Sequence, residues 1–202
     1  MLTIALPKGR IADETLDRFE KAFGEKFVFE DRKLILEKSG FKFLNVRNQD
    51  VPTYVIHGAA DLGVVGLDVL EEKEYDLIKL LDLKLGRCKV AFGLRAGEKL
   101  NFDKSKITIA TKHEKIAKKY FEQKAMAVEI IKLYGSIELA PLVGLCDCIV
   151  DIVETGETMK QNGLEVGPTI METTAHLIAN KNSFYAKKDL IFDLKDKLEK
   201  FL

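Results

Sequence analysis

An α/β fold in two lobes is what this sequence predicts, on three observations. Short apolar runs with strand character alternate along the whole chain with segments that carry apolar residues at helical spacing. That cycle stops at a polar stretch over residues 96–106 and then restarts. The 202 residues, 47% apolar and 32% charged, suffice for a real core in one or two compact domains.

Residues 2–6 read as a short buried strand, and after Arg10 the residues Ala12, Leu16, Phe19 and Phe23 mark an amphipathic helix that Gly24 ends. Residues 33–37 and 41–47 alternate as two strands across a turn at Ser39 and Gly40. Pro52 suits the first turn of a short helix that stops at Gly58, and residues 61–66 form a compact apolar strand. Residues 88–94 are the next strand, and the polar stretch to Lys106 is the expected domain crossing. Beyond it come a strand at 107–111, a helical stripe of Ile116, Ala117, Tyr120 and Phe121, and a strand at 128–133. From Thr169 the chain reads as extended, and Ile191, Leu194, Leu198 and Phe201 stand at helical spacing in the tail. The tail is too short for a domain of its own and is expected to pack back on the first unit. The prediction is a discontinuous domain I at 1–90 plus 178–202, a domain II at 91–177, and a cleft between them, with mixed sheets flanked by helices.

Composition excludes several classes of function. Lys plus Arg and Asp plus Glu both number 32, with no basic run interleaved with aromatics, so the chain has no electrostatic footprint for nucleic acid. No run has membrane length and no basic leader precedes a long apolar segment, so no membrane association and a cytoplasmic location are expected. Cys88, Cys146 and Cys148 are an odd count without a second Cys or His pair at zinc-ligand spacing, which points to core packing, with Cys146 and Cys148 on one strand face.

The segment with most chemical content is C-I-V-D-I-V-E-T-G-E-T at 148–158. It reads as a buried strand that carries Asp151 and Glu154 to its C-terminal end and turns into a helix near Thr158. A helix N-terminus exposes unpartnered N–H groups and partial positive charge, so the turn at 155–158 can ring a phosphate with amides and two hydroxyls. Gly156 allows close approach. The two acids then suit ribose hydroxyls or a magnesium ion. An ordinary strand ending in a turn capped by Thr155 has the same pattern.

Other turns carry charge at strand ends. Leu6-Pro7-Lys8-Gly9-Arg10 joins the first strand to the first helix, where ligands of open α/β sheets bind, though a solvated loop reads alike. Gly66 permits approach of a flat ring or phosphate, and Asp68 reads as a contact or as an N-cap. Ser136 and Glu138, between a strand and a helix, form a second candidate anion or hydroxyl site, with a capping box as the competing reading. His57 fits a helix C-terminus, His113 reads as a surface residue at a helix entry, and neither these nor His176 is assigned to catalysis. No Ser, His and Asp set suggests acyl transfer.

Together the stretches L-P-K-G-R at Leu6, D-V-P-T-Y-V-I-H-G-A-A-D-L-G-V-V-G-L-D from Asp50, L-G-R-C-K-V from Leu85, I-A-T-K from Ile109, G-S-I-E-L-A-P-L-V-G-L from Gly135 and D-I-V-E-T-G-E-T from Asp151 resemble the ATP phosphoribosyltransferase family in its short form. They run through nearly the whole chain in the family's order. The resemblance implies a two-lobed fold similar to type II periplasmic binding proteins. It implies transfer of the phosphoribosyl group of phosphoribosyl pyrophosphate to N1 of ATP, releasing pyrophosphate with inversion, as the first step of histidine biosynthesis. Magnesium (Mg2+) is the implied cofactor, with its ligands unassigned.

By the same resemblance, Asp151, Glu154, Thr155, Gly156, Glu157 and Thr158 bind phosphoribosyl pyrophosphate, and Lys8, Gly9, Gly66, Asp68, Ser136 and Glu138 bind ATP. Lys8, Arg10, Arg32 and Arg47 are the implied catalytic cations, Arg32 across a dimer interface. The length implies the short form, a homodimer that assembles with a regulatory subunit similar to a histidyl-tRNA synthetase. The competing reading is a non-catalytic two-lobed module that binds a small molecule; the paired acids and the T-G-E-T turn argue against it, because a solute binder needs no ribose and phosphate clamp. Another phosphoribosyltransferase class would share those acids and that turn but not the remaining motifs.

Overall fold

The computed structural model describes residues 1–202. They divide into unit 1, Met1–Gly86 with Thr174–Leu202, and unit 2, Arg87–Thr173. Unit 1 contains β1 (Leu2–Pro7), α1 (Arg10–Phe23), β2 (Ile35–Lys38), β3 (Phe41–Val46), α2 (Val51–Ile56), β4 (Leu62–Gly66) and α3 (Leu67–Lys73). A long strand, β5 (Ile78–Arg95), runs out of it. Unit 2 continues with β6 (Ile107–Thr111), α4 (Glu114–Glu122), β7 (Val128–Lys132), α5 (Leu139–Leu142), β8 (Cys148–Val153) and α6 (Glu157–Gln161). The chain returns along β9 (Leu164–Ala179) and ends with α7 (Lys181–Ala186) and α8 (Lys188–Glu199) in unit 1.

Each unit is built on three parallel strands. In unit 1, β1 pairs in parallel with β3 and β4, β2 joins β3 antiparallel, and the end of β9 joins β4 antiparallel. In unit 2, β6 pairs in parallel with β7 and β8, and the second half of β5 joins β8 antiparallel. The restart of the strand and helix cycle after the polar stretch is therefore a repeat of topology.

Amphipathic spacing explains how helices cover these sheets. Ala12, Leu16 and Phe19 of α1, with Ile191, Leu194 and Leu198 of α8, pack on one face of the unit 1 sheet, while α2 and α3 cover the other through Val51, Val55, Val69 and Leu70. Phe19 is fully buried among Phe23, Phe27, Phe41 and Phe43, with ring centroids 5.0–6.0 Å away. Burying such a ring stabilises by roughly 1.5–3 kcal/mol. Gly24 ends α1 in the left-handed region, its N–H donating to Glu20 O at 2.8 Å. In unit 2, Ile116, Ala117 and Phe121 of α4 fill one side of the sheet, and Ala140 of α5 and Met159 of α6 fill the other.

Several expectations need correction. The polar stretch at 96–106 lies inside unit 2, and the chain instead passes between units within two continuous strands, at Gly86 and at Thr173. Loops are not needed for a crossing when the strands themselves are long. The strand expected at 88–94 begins at Ile78, and the extended stretch expected from Thr169 begins at Leu164. The tail is two helices, with Phe201 beyond the second and 42% exposed. Cys146 precedes β8, so alternation does not govern it: Cys148 packs with Val150 and α4, and Cys146 with Ile149 on the opposite side. Burial pushes the Cys148 thiol up to about 12 and raises that of Cys146 as well, as expected of packing residues.

Candidate functional site

Parallel strands end at one edge of their sheet, and in both units the candidate residues collect there. In unit 1, Pro7 stands opposite Val46, and the Lys8 N–H donates to Val46 O at 2.8 Å. Lys8, Gly9 and Arg10 after β1 thus lie beside Arg47 after β3, and Gly66 ends the neighbouring β4 at the same edge. Because β2 runs antiparallel to β3, Arg32 ahead of it also falls at this edge; it has left-handed backbone, φ 57°. Lys8, Arg10, Arg32 and Arg47 are all exposed. Arg10 Nη1 contacts Glu14 Oε1 at 3.1 Å, and Glu14 Oε2 accepts the Gly86 N–H at 3.0 Å. One carboxylate therefore ties the Arg10 guanidinium to the residue where the chain leaves unit 1.

Asp68 is not the N-cap of α3. α3 begins at Leu67 with Gly66 as its N-cap, so Asp68 sits inside the first turn and is 2% exposed. The placement suits the helix dipole.

In unit 2 the carboxyl edge holds the residues after β6, β7 and β8. Ser136 and Glu138 follow β7; Ser136 is exposed with φ 49°, and Glu138 is the N-cap of α5 without a side-chain capping bond. Asp151 lies within β8, and Glu154, Thr155, Gly156, Glu157 and Thr158 form the turn into α6. Gly156 is the N-cap, with φ 83°, and a Cβ there would meet Val166 Cγ2 at 2.8 Å. Only glycine fits both constraints. Thr155 Oγ1 accepts the Glu157 N–H at 3.3 Å, while Glu154, Thr155, Glu157 and Thr158 are exposed. First-turn N–H groups lack intrahelical acceptors, so this exposed turn is chemically able to take an anion.

Two residues beside it escaped the sequence reading. Lys112 Nζ lies 3.0 Å from Asp151 Oδ1. His113, expected at the surface, is 1% exposed, with Nε2 3.8 Å from the same oxygen. The chain folds this way because Thr111, fully buried, donates its hydroxyl to Val150 O at 2.6 Å and accepts the His113 N–H at 2.8 Å, which draws the turn after β6 against β8. The available signal was the I-A-T-K run ending a parallel strand. His57 caps α2 as expected, and His176 is half-buried, its pKa lowered by burial against the opposing effect of Asp82.

The donor set can be tested for a divalent cation. No group of three or more His, Cys, Asp or Glu side chains is arranged to hold a metal. Asp151 and Glu154 are two carboxylates beside a turn able to take an anion, a donor set that fits Mg2+ held mainly by phosphate oxygens of a ligand.

Comparison with known proteins adds sequence and fold. A profile of the family described as ATP phosphoribosyltransferase matches residues 47–200. The ATP phosphoribosyltransferase of Wolinella succinogenes is 67% identical over 200 residues, 99% of this chain and 97% of that protein. A solved structure, the ATP phosphoribosyl transferase (HisG:HisZ) complex from Thermotoga maritima, has a TM-score of 0.83 at 36% identity, covering 99% of this chain and 98% of that one. The periplasmic VFT2 domain of BvgS from Bordetella pertussis has a TM-score of 0.64 at 12% identity, covering 98% of this chain and 86% of that one, a likeness of fold alone.

Proposed function

The chain belongs to the ATP phosphoribosyltransferase family, and we propose from that premise how its residues divide the reaction. The enzyme transfers the phosphoribosyl group of phosphoribosyl pyrophosphate to N1 of ATP, releasing pyrophosphate, in the first step of histidine biosynthesis. A non-catalytic binding module is not favoured.

The observation that carries the assignment is the turn at 154–158: left-handed Gly156 wedged against Val166, flanked by the exposed residues Thr155, Glu157 and Thr158 at a helix start. In our reading the 5′-phosphate of the donor sits on the amides and hydroxyls of Thr155, Glu157 and Thr158. Asp151 and Glu154 accept hydrogen bonds from the ribose hydroxyls. Lys8 and Arg10, with Arg32 and Arg47 at the same edge of unit 1, bind triphosphate or pyrophosphate oxygens. Gly9, Gly66, Asp68, Ser136 and Glu138 belong to the ATP side. Mg2+ would be carried on the donor's phosphates with Asp151 or Glu154 as its protein ligand, and it would neutralise charge on the leaving pyrophosphate.

Adenine N1 is unprotonated near neutral pH, so the nucleophile needs no strong base. The rate then comes from holding two polyanions and stabilising the leaving group. The complex formed by the Thermotoga maritima relative supports assembly of this chain with a regulatory subunit. A homodimer, with Arg32 reaching across its interface, and a cytoplasmic setting belong to the same proposal. No helix is long and apolar enough to cross a membrane.

The test mixes the purified chain, with and without the regulatory partner, with ATP, phosphoribosyl pyrophosphate, Mg2+ and pyrophosphatase, and follows phosphoribosyl-ATP by its ultraviolet absorbance. Thr158→Ala and Gly156→Val are expected to raise KM for the donor about tenfold or more while leaving that for ATP within about twofold, since each disturbs bonds to a charged group. Equal effects on both substrates remove the loop assignment. No product in any combination removes the proposed reaction.

A further inference from the structure

The carboxyl edge of unit 2 carries charges of both signs. Glu114, Glu138, Asp151, Glu154 and Glu157 stand there with Arg87, Lys89, Lys112, Lys115, Lys132 and Lys160. Lys132 is engaged with Glu114 at 2.5 Å. A donor that carries both a phosphate and a pyrophosphate brings several negative charges to this edge, and the turn amides offset only part of that balance.

Lys112 is placed to change that balance. Ala110 pairs with Ile149 and Thr111 with Val150 in the parallel ladder, so Lys112 and Asp151 leave adjacent strands on the same face. Their contact of 3.0 Å joins side chains that are 36% and 14% exposed. The Thr111 hydroxyl pins the backbone on both sides of Lys112, and buried His113 backs the carboxylate. The Lys112 stem is thus anchored, while its ammonium keeps access to solvent and can rotate on a flexible chain.

We propose that Lys112 is a donor-binding residue of this enzyme. Its ammonium holds Asp151 until the ribose hydroxyls of phosphoribosyl pyrophosphate take over that carboxylate, and it then turns to a phosphate oxygen of the same molecule. His113 is a positioning residue that keeps Asp151 aimed. The inference rests on the assignment of the 154–158 turn to that substrate and adds the cation that the assignment lacks in unit 2.

The test measures binding of phosphoribosyl pyrophosphate with Mg2+, and separately of ATP, by calorimetry on the full chain. Lys112→Met is compared with Lys112→Arg, with Thr158→Ala, and with Lys118→Ala, which removes a positive charge from a side chain 66% exposed on α4. Lys112→Met is expected to weaken the donor about tenfold or more with ATP within about twofold, because a bond between charged groups is lost. Lys112→Arg should recover much of the loss, and Lys118→Ala should match the parent. Equal weakening of donor and ATP overturns the proposal. So does unchanged donor binding in Lys112→Met when Thr158→Ala weakens it, which leaves the turn assignment standing. If neither substitution weakens the donor, both assignments fall.

Discussion

Lys84 and Gly86 take left-handed backbone, φ 57° and 58°, inside the strand β5. Lysine rarely adopts this conformation, and Asp82 supports it: its carboxylate accepts the Lys84 N–H at 2.9 Å and the Thr174 hydroxyl at 2.8 Å, with the Lys84 ammonium at 2.6 Å. Burial disfavours the charge on Asp82, but these bonds outweigh it and lower the carboxyl to about 2 from 3.8. A lowered carboxyl stabilises fully above its unfolded value and loses that contribution as pH falls through its folded value. Asp82 therefore stabilises above about pH 4, and the effect fades as pH falls from about 4 to about 2. Urea unfolding at a series of acid pH values should show a shallower loss of stability for Asp82→Asn than for the parent in that interval; parallel curves would contradict the assignment. At this scale the sequence was partly legible. Gly156 and its neighbours stand out as a turn, whereas nothing local marks the bond from Thr174 of β9 to Asp82, or Lys112, whose partner Asp151 comes from another strand.

Among elements, the return of the C-terminal helices to unit 1 is the least local event. Asp61, just ahead of β4 and 8% exposed, accepts the Thr3 N–H at 2.9 Å and lies 2.7 Å from Lys187, between α7 and α8. Burial opposes its charge, yet the Lys187 and Thr3 bonds lower its carboxyl. Asn180 caps α7 by accepting the Ser183 N–H at 3.0 Å, while its amide donates to Val55 O at 2.8 Å. Lys187→Met should leave the Asp61 carboxylate short of a partner and cost about 1–3 kcal/mol. The urea midpoint should fall with the slope unchanged, and an unaltered midpoint would rule the contact out as a dock for the tail. Helical spacing revealed α8 because Ile191, Leu194 and Leu198 form one stripe, and all three are buried. It missed α7, which buries no residue fully and so has no stripe to read.

Over the whole molecule, unit 1 is assembled from both ends of the chain and unit 2 from one continuous segment. A chain ended at Thr173 would lack the strand pairing of β9 with β4 and the buried side chains of α8, while every residue of unit 2 remains. Hydrogen exchange on that fragment should keep protection in β6 and β8 and lose it in β1 and β4; protection surviving in β1 and β4 would show that unit 1 does not need its C-terminal part. The alternation of strand and helix, the buried stripes and the strand-to-helix turn at Gly156 were determined by the sequence alone, because periodicity and glycine conformation act over a few neighbouring residues. Only the tertiary structure decided that the crossings lie within β5 and β9, that His113 is buried, and that Lys112 meets Asp151. Those outcomes depend on strand register between segments distant in sequence, where hydrogen bonding and packing choose partners that local pattern does not encode.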